Sequence, residues 1–356
     1  MSVSPAIRLR TPEEIALQAG ADLPRLRLPQ RNEVFAARAL RLRELAAGHA
    51  MRDYLLLLAV VCEAQHRLLQ DHPATALPTP AQADDAARHG RPLLDAAGWR
   101  REALWRDRLR TLLDHLLTHL SPDNPARAGV QAVRAADDAW LEQQADRLLG
   151  GIMRGLDLAA APLIAAALQL HWTQLVIAIH DAAPANSPAV FGPMQDSTRC
   201  PCCGSLPAAS ITRIGGEADG YRYLHCALCS AEWHMVRVKC THCEGTRGIH
   251  YEALQPVDGA PAAQRDAVQA ECCDSCGHYL KIIHMARELQ AEPLADDLAT
   301  LTLDLLVSQA GFARHGVNLL LLFGDPEADD TAAPRTDGGD TATGSCTTPD
   351  GRNGCR

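Results

Sequence analysis

An α+β protein is what this sequence predicts: an N-terminal helical bundle, then two small rubredoxin-like or zinc-ribbon β modules, then a C-terminal helix. Three observations carry the prediction. Leucines in the first half recur at helical spacing, ten of the thirteen cysteines fall between Cys200 and Cys276, and those cysteines include four CxxC pairs joined by segments of strand-turn-strand character. A chain of 356 residues exceeds what one core usually supports. The expected divisions are a helical domain over 1–185, a first four-cysteine ribbon over 197–232, a second over 233–290, a C-terminal helical segment over 291–324 and a disordered tail over 325–356.

In the helical part, Pro12 follows Thr11 and precedes Glu13 and Glu14, a capped helix start with acidic groups at the positive end of the dipole. Val34, Phe35, Ala39, Leu42 and Leu45 mark the next helix, with Arg38, Arg41 and Arg43 expected on its solvated face. Residues 51–69 form another, closed by Asp71-His72-Pro73. Leu109, Leu112, Leu113, Leu116, Leu117 and Leu120 make a broad apolar stripe that Ser121-Pro122 ends. Further helices are expected over 127–150 and 162–182, the latter placing His171 and Trp172 in the core, and together these elements suggest a bundle. Residues 183–196, with Ala-Pro-Ala-Asn-Ser-Pro, break the periodicity and read as a linker. Helical spacing returns over 293–312 through Leu294, Leu298, Leu301, Leu305 and Leu306. The Asp-, Gly- and Thr-rich end, which carries Cys346 and Cys355, cannot bury enough apolar surface to offset its ordering entropy.

Charge and export signals narrow the function classes. With 34 Lys plus Arg against 43 Asp plus Glu, the formal net charge of −9 argues against a dedicated polyanion binder. The N-terminal residues contain no apolar stretch of the secretory kind, and the apolar runs at 54–62 and 158–168 are too short to span a bilayer. The expectation is a cytoplasmic protein without membrane insertion, whose clustered cysteines serve as metal ligands rather than disulfides.

The four pairs are Cys200-Pro-Cys-Cys203, Cys226-Ala-Leu-Cys229, Cys240-Thr-His-Cys243 and Cys273-Asp-Ser-Cys276. Two intervening residues let both thiolates of a pair reach one metal. Gly204 and Gly277 follow their pairs and Gly245 sits one residue further on, where a turn with positive φ is expected. Residues 209–214 and 221–225 flank a Gly-rich turn, and 249–254 and 267–271 flank a turn-rich segment at 255–260, so each hairpin returns the chain to its starting end. Between Cys229 and Cys240 no Gly, Pro, Asn or Asp reverses the chain, and its seven central residues would span roughly 23 Å as a strand. The consistent pairing is two sequential sites, Cys200/Cys203/Cys226/Cys229 and Cys240/Cys243/Cys273/Cys276, holding two metal ions per chain. Tetrahedral sulfur suits iron or zinc alike. Cys202 and Cys272 are left over as spare cysteines, and the histidines near the knuckles, His242 and His278 among them, read as outer groups beside four thiolates. No nucleotide loop, HExxH or nucleophile elbow appears, so no catalytic residue is assigned and the protein is expected not to be an enzyme.

At these motifs the chain resembles the formate dehydrogenase accessory protein family, FdhE. The resemblance runs through the first three pairs, Glu232-Trp233-His234-Met-Val-Arg237 between them, Cys273-Asp-Ser-Cys276-Gly277-His278-Tyr279-Leu280-Lys281 and Ala295-Asp296-Asp297-Leu298-Ala299. Arg41-Leu-Arg-Glu-Leu-Ala46 and Asp53-Tyr54-Leu55 share it, whereas Cys202, Cys272 and the tail depart from it. It implies a rubredoxin-like, iron-binding maturation factor in the cytoplasm. Such a factor binds the catalytic subunit of exported respiratory formate dehydrogenases and is needed for their activity. Two other classes compete: a nucleic-acid-binding zinc ribbon and a rubredoxin-like redox protein. Residues 197–290 hold nine Lys plus Arg against ten Asp plus Glu, which lacks the basic footprint of the former. The sequence assigns no oligomeric state.

Overall fold

The computed structural model describes residues 23–71, 75–183, 190–192, 194–254 and 267–322, all within one compact unit, Met1–Gly324. The helix start at Pro12, much of the 183–196 linker, the turn at 255–260 and the tail lie outside the described residues. A short strand, β1 (Leu26–Arg27), precedes α1 (Val34–Leu45) and α2 (Arg52–Gln70). A helix that the periodicity does not announce follows, α3 (Pro80–Arg88). It starts from a capping box in which Thr79 Oγ1 accepts from the Gln82 N–H at 3.3 Å and Gln82 Oε1 accepts from the Thr79 N–H at 2.8 Å. The leucine stripe lies on α4 (Leu104–His119), buried from Leu109 to Leu116 and ending with Leu120 outside the helix.

The expected helix over 127–150 is two, α5 (Ala126–Ala135) and α6 (Asp138–Leu149). Asp137 starts the second, its carboxylate accepting from the Trp140 N–H at 2.8 Å, because a short acidic side chain competes with the backbone and favours a cap over a helix interior. The last helix of the bundle, α7 (Ala161–Ala182), has 17 of its 22 residues buried, His171 and Trp172 among them. Among the described residues it is the one helix long and apolar enough to cross a membrane, but 89% of its apolar window is buried inside the protein. A helix apolar all round has to be enclosed, and α2, α4 and α6 pack against it.

The cysteine-rich region forms β2 (Pro207–Thr212), β3 (Arg222–Cys226), β4 (Glu232–His234), β5 (Ile249–Glu252), β6 (Val268–Cys273) and β7 (His278–His284). Both expected hairpins are present, as antiparallel pairs β2/β3 and β5/β6. They are not free-standing ribbons. β2 pairs in parallel with β7, Ser210 opposite Ile282, and this fuses everything into one sheet of order β1-β4-β3-β2-β7-β6-β5. Alternation gives the sheet two buried faces. Leu224 and Leu280 join the core of the bundle, while Tyr223, Ile211, Tyr279 and Ile283 form a second core on the opposite face.

The strand expected between Cys229 and Cys240 stops at His234. The cause is remote in sequence: buried Arg222 donates from Nη1 to the carbonyls of Arg237 and Lys239, at 3.3 and 3.2 Å, and pairs with Glu271 at 2.8 Å. One cation under the segment satisfies carbonyls that a strand would have paired, and it bends the chain without any turn residue.

After the sheet come α8 (Pro293–Ala299), α9 (Leu301–Gln309) and β8 (Ala313–Arg314), which pairs with β7. The expected continuous helix over 293–312 breaks at Thr300, whose hydroxyl donates back to the Asp296 carbonyl at 2.8 Å. Arg38 and Arg41, expected on a solvated face, are buried against α8. Arg38 pairs with Glu292 at 2.9 Å, and Arg41 pairs with Asp296 at 2.7 Å and Glu288 at 3.2 Å. On the far side of the same helix Asp297 meets Lys281 at 2.9 Å and Arg314 at 2.8 Å, and accepts from Asn318 at 2.8 Å. Burial alone would raise the Asp297 carboxyl, but the charges of Arg314 and Lys281 outweigh it and hold the group below its usual range. Arg43 alone remains outside, paired with Glu63 at 2.6 Å.

Removing one member of a buried charged cluster leaves its partners uncompensated, so Asp297→Ala should lower unfolding free energy by about 3–5 kcal/mol, whereas Arg43→Ala at the surface should cost under about 1 kcal/mol. Denaturant midpoints with unchanged slopes would measure both. Burial, aided by the charges of Arg108 and Arg101, lowers His171 to about 4. The unfolded chain therefore binds the extra proton from about pH 6.5 downward and the folded chain does not. Stability from this residue is full above pH 6.5 and is lost as pH falls to about 4, and His171→Phe should flatten the stability–pH curve over that interval.

Candidate metal centres

Cys200, Cys203, Cys226 and Cys229 bring their sulfurs together at the open end of the β2/β3 hairpin, opposite its turn, and all four are buried. Sγ of Cys200 lies 3.5 Å from that of Cys229, and Cys203 lies 3.4 Å from Cys226. Those separations are far beyond a disulfide bond of about 2.05 Å. They approach the ~3.8 Å edge of a sulfur tetrahedron around a cation with bonds of about 2.3 Å. Each knuckle folds on backbone bonds that free its sulfurs: Gly204 N–H to the Cys200 carbonyl at 2.8 Å, Cys226 N–H to the Ala231 carbonyl at 2.9 Å. The N–H groups of Leu228 and Cys229 both point at Cys226 Sγ from 3.4 Å. Burial, with the other sulfurs close by, pushes the Cys226 and Cys229 thiols well up. Four thiolates fit this volume only around a compensating cation.

The bundle holds this first cluster from behind. The N–H groups of Leu94 and Ala96 donate to the carbonyls of Cys202 and Cys203, both at 2.9 Å. From α7, Gln169 donates to the Ala227 carbonyl at 2.8 Å, and Trp172 donates to the Leu94 carbonyl at 3.0 Å. Arg38 reaches Ser230 Oγ at 3.2 Å. Trp233 is buried in the same core and donates to the Ser197 carbonyl at 2.9 Å, which anchors the segment leading into Cys200. Beside it, burial would raise Glu232, but Arg213 and His225 overcome that and bring it to about 2, so a permanent carboxylate ties β4 to β3.

Cys240, Cys243, Cys273 and Cys276 form the second cluster at the sheet's other hairpin. Here Cys240 lies 3.7 Å from Cys276 and Cys243 lies 3.8 Å from Cys273. The His242 N–H points at Cys240 Sγ from 3.4 Å. This cluster is open on one side, since Cys243 is exposed and Cys276 half-buried. Both clusters can therefore bind a metal ion with a complete sulfur shell.

The turn glycines are only partly where expected. Gly204 and Gly277 have φ of 72° and 68°, but in the other two knuckles the left-handed residue is Ser230 or Glu244, each at 58°, and Gly245 is not among the positive-φ glycines. Both pay some strain for the site. Glu244 recovers through Lys239 at 2.5 Å and Ser197 at 2.7 Å. The clamp by residues 94–96 and the support from Gln169 were invisible in sequence, because neither carries a ligand-type residue. Cys202 is buried beside the first cluster. Cys272 faces the second core with its thiol pushed up to about 12 by burial.

If both clusters hold cations, their accessibility separates them. A chelating dye should withdraw metal from the purified chain in two phases, the exposed second cluster first. Cys229→Ser should lower the global unfolding midpoint, because its cluster sits in the main core, while Cys243→Ser should leave that midpoint close to wild type. Metal analysis should find about one cation fewer in each variant.

The comparisons with known proteins extend over nearly all of this architecture. Family models described as FdhE, N-terminal, FdhE, central domain, and FdhE, C-terminal domain match residues 23–188, 199–237 and 238–321. Protein FdhE of Salmonella dublin is 39% identical over 307 residues, covering 86% of this chain and 93% of its own. A protein FdhE homolog of Cronobacter sakazakii is 38% identical over 305 residues with the same coverage. Among solved structures, the crystal structure of the FdhE protein from Pseudomonas aeruginosa matches with a TM-score of 0.67 at 36% identity, covering 84% of this chain and 98% of that one.

Proposed function

The chain belongs to the FdhE family, and from that premise we propose that it is a metal-binding accessory protein of formate dehydrogenase. In this reading it binds the catalytic subunit of the respiratory enzyme in the cytoplasm and is required for its activity, without catalysing a reaction itself. The observation that carries the reading is the combination of family likeness along almost the whole described chain with two four-sulfur clusters. Four sulfur donors fill a tetrahedral cation, iron or zinc, and leave no coordination position for a substrate. The cations would then pin the knuckles and hold the sheet's two ends in a fixed relation to the bundle.

The segment between the clusters suits contact with a protein client. Val236 and Val238 are exposed by 57% and 56% on the bend that Arg222 creates, so an apolar, backbone-anchored loop projects between the two knuckle pairs. Near-neutral charge over residues 197–290 favours a protein partner over nucleic acid.

A pull-down from the native host should recover the formate dehydrogenase catalytic subunit, with nuclease making no difference and salt weakening it only slightly. Val236→Asp with Val238→Asp should reduce that capture roughly tenfold at unchanged metal content, and a strain lacking the protein should lose formate dehydrogenase activity. Nuclease-sensitive capture with unaltered enzyme activity would refute the reading. A visible spectrum of anaerobically purified protein separates ferric sulfur sites, which absorb, from zinc, which does not. Cys→Ser variants that fold and bind the client without supporting activity would point to a chemical part for the cations.

A further inference from the structure

The open side of the second cluster carries a set of donors that the four-sulfur shell does not use. His242 stands inside the Cys240–Cys243 knuckle and His278 opens β7 two residues after Cys276. One ligand atom from each of His242, His278 and Cys276 lies within 4.8 Å of the others. The two imidazoles are stacked, centroids 3.7 Å apart and planes 6° from parallel. Behind them His315, 8% exposed, sits edge-on to His242 at 5.2 Å, and its Nε2 has no hydrogen-bond partner. Two imidazoles gathered on a thiol at the edge of a metal-competent cluster are not explained by core packing, since His242 is exposed and His278 only half-buried.

His278 is already oriented as a ligand. Its Nδ1 lies 2.8 Å from the Cys276 carbonyl. A carbonyl only accepts, so Nδ1 carries the proton and Nε2 presents its lone pair, the arrangement that fixes tautomer and direction in metal-binding histidines. His242 is exposed, and binding would require its ring to turn out of the stack so that its in-plane lone pair converges with that of His278. Cys276 as a thiolate has lone pairs beyond the one it directs at its own cluster, and sulfur of that kind can bridge two cations.

We propose that His242, His278 and Cys276 form a third, solvent-accessible metal position that shares Cys276 with the second cluster. Two imidazoles and a thiolate select a borderline divalent cation such as zinc, cobalt or nickel over calcium or magnesium, which want oxygen. Water completes the shell on the open side. Among the described residues the first cluster has no counterpart to this set, which matches its complete burial. The inference rests on the reading that the second cluster itself holds a cation.

The test uses the full chain as purified, with its metal content measured first. Cobalt(II) chloride is then titrated in, followed by calorimetry and visible absorption. Wild type should take up one further equivalent beyond two, with cobalt bands of mixed imidazole and thiolate ligation. His242→Ala and His278→Ala should each weaken that equivalent by roughly tenfold or more, with the unfolding midpoint unchanged, while the surface control His89→Ala should leave it intact. Saturation at two equivalents, or a third that survives both substitutions, overturns the proposal. A chain that holds fewer than two cations even after cobalt is added sinks the cluster reading and this inference with it. A full complement without a third equivalent sinks this inference alone.

Discussion

Two adjacent aspartates on a seven-residue helix set how the bundle and the sheet meet. Asp296 turns toward Arg41 of α1, and Asp297, the next residue, turns away from it toward Lys281 of β7 and Arg314 of β8. Glu292 caps the same helix through the Ala295 N–H and takes Arg38 with its other oxygen. A helix this short has no stability of its own. It exists because its acids are claimed from both sides, and the claim works only while each buried cation finds its anion. Lys281 is one of two lysines in the whole chain and is completely buried, a position lysine occupies only when paired.

From that joint the asymmetry between the two clusters follows. The first lies between the sheet and α7, inside a core continuous with the bundle. Its backbone polar groups are satisfied by the bundle's own N–H and amide donors. The second lies at the far hairpin, whose edge strand β5 is half-buried or exposed along its length. Identical donor sets thus sit in different dielectric and solvent conditions, so their cations would differ in exchange rate and in the energy they contribute to the fold.

The sequence made the elements with local signatures legible. Leucine spacing located α4, alternation between glycine turns located both hairpins, and CxxC spacing picked out the eight cysteines that the structure gathers in two groups of four. What escaped had its cause elsewhere in the chain. Arg38 and Arg41 look like a solvated face until α8, some 250 residues later, supplies their partners. The bend after His234 has no turn residue because Arg222 makes it from beneath. Ser230 and Glu244 adopt glycine's conformation because tertiary contacts impose it. The capping box at Thr79 was local and readable, but the helix it starts buries no residue and so shows no apolar stripe.

The parallel pairing of β2 with β7 orders events in time as well as in space. Strand partners 72 residues apart meet with no α-helix between them among the described residues. Closing that loop costs entropy that only the finished contact returns. The first knuckle pairs, thirty residues end to end, can assemble as soon as they leave the ribosome. The sheet that locks them to the bundle cannot close until β7 and α8 have been synthesised. A chain interrupted before that point would carry α7, its most membrane-like segment, without the Asp296–Arg41 joint to seal the bundle. Completion of the C-terminal third is thus the event that commits the nascent polypeptide to its folded form.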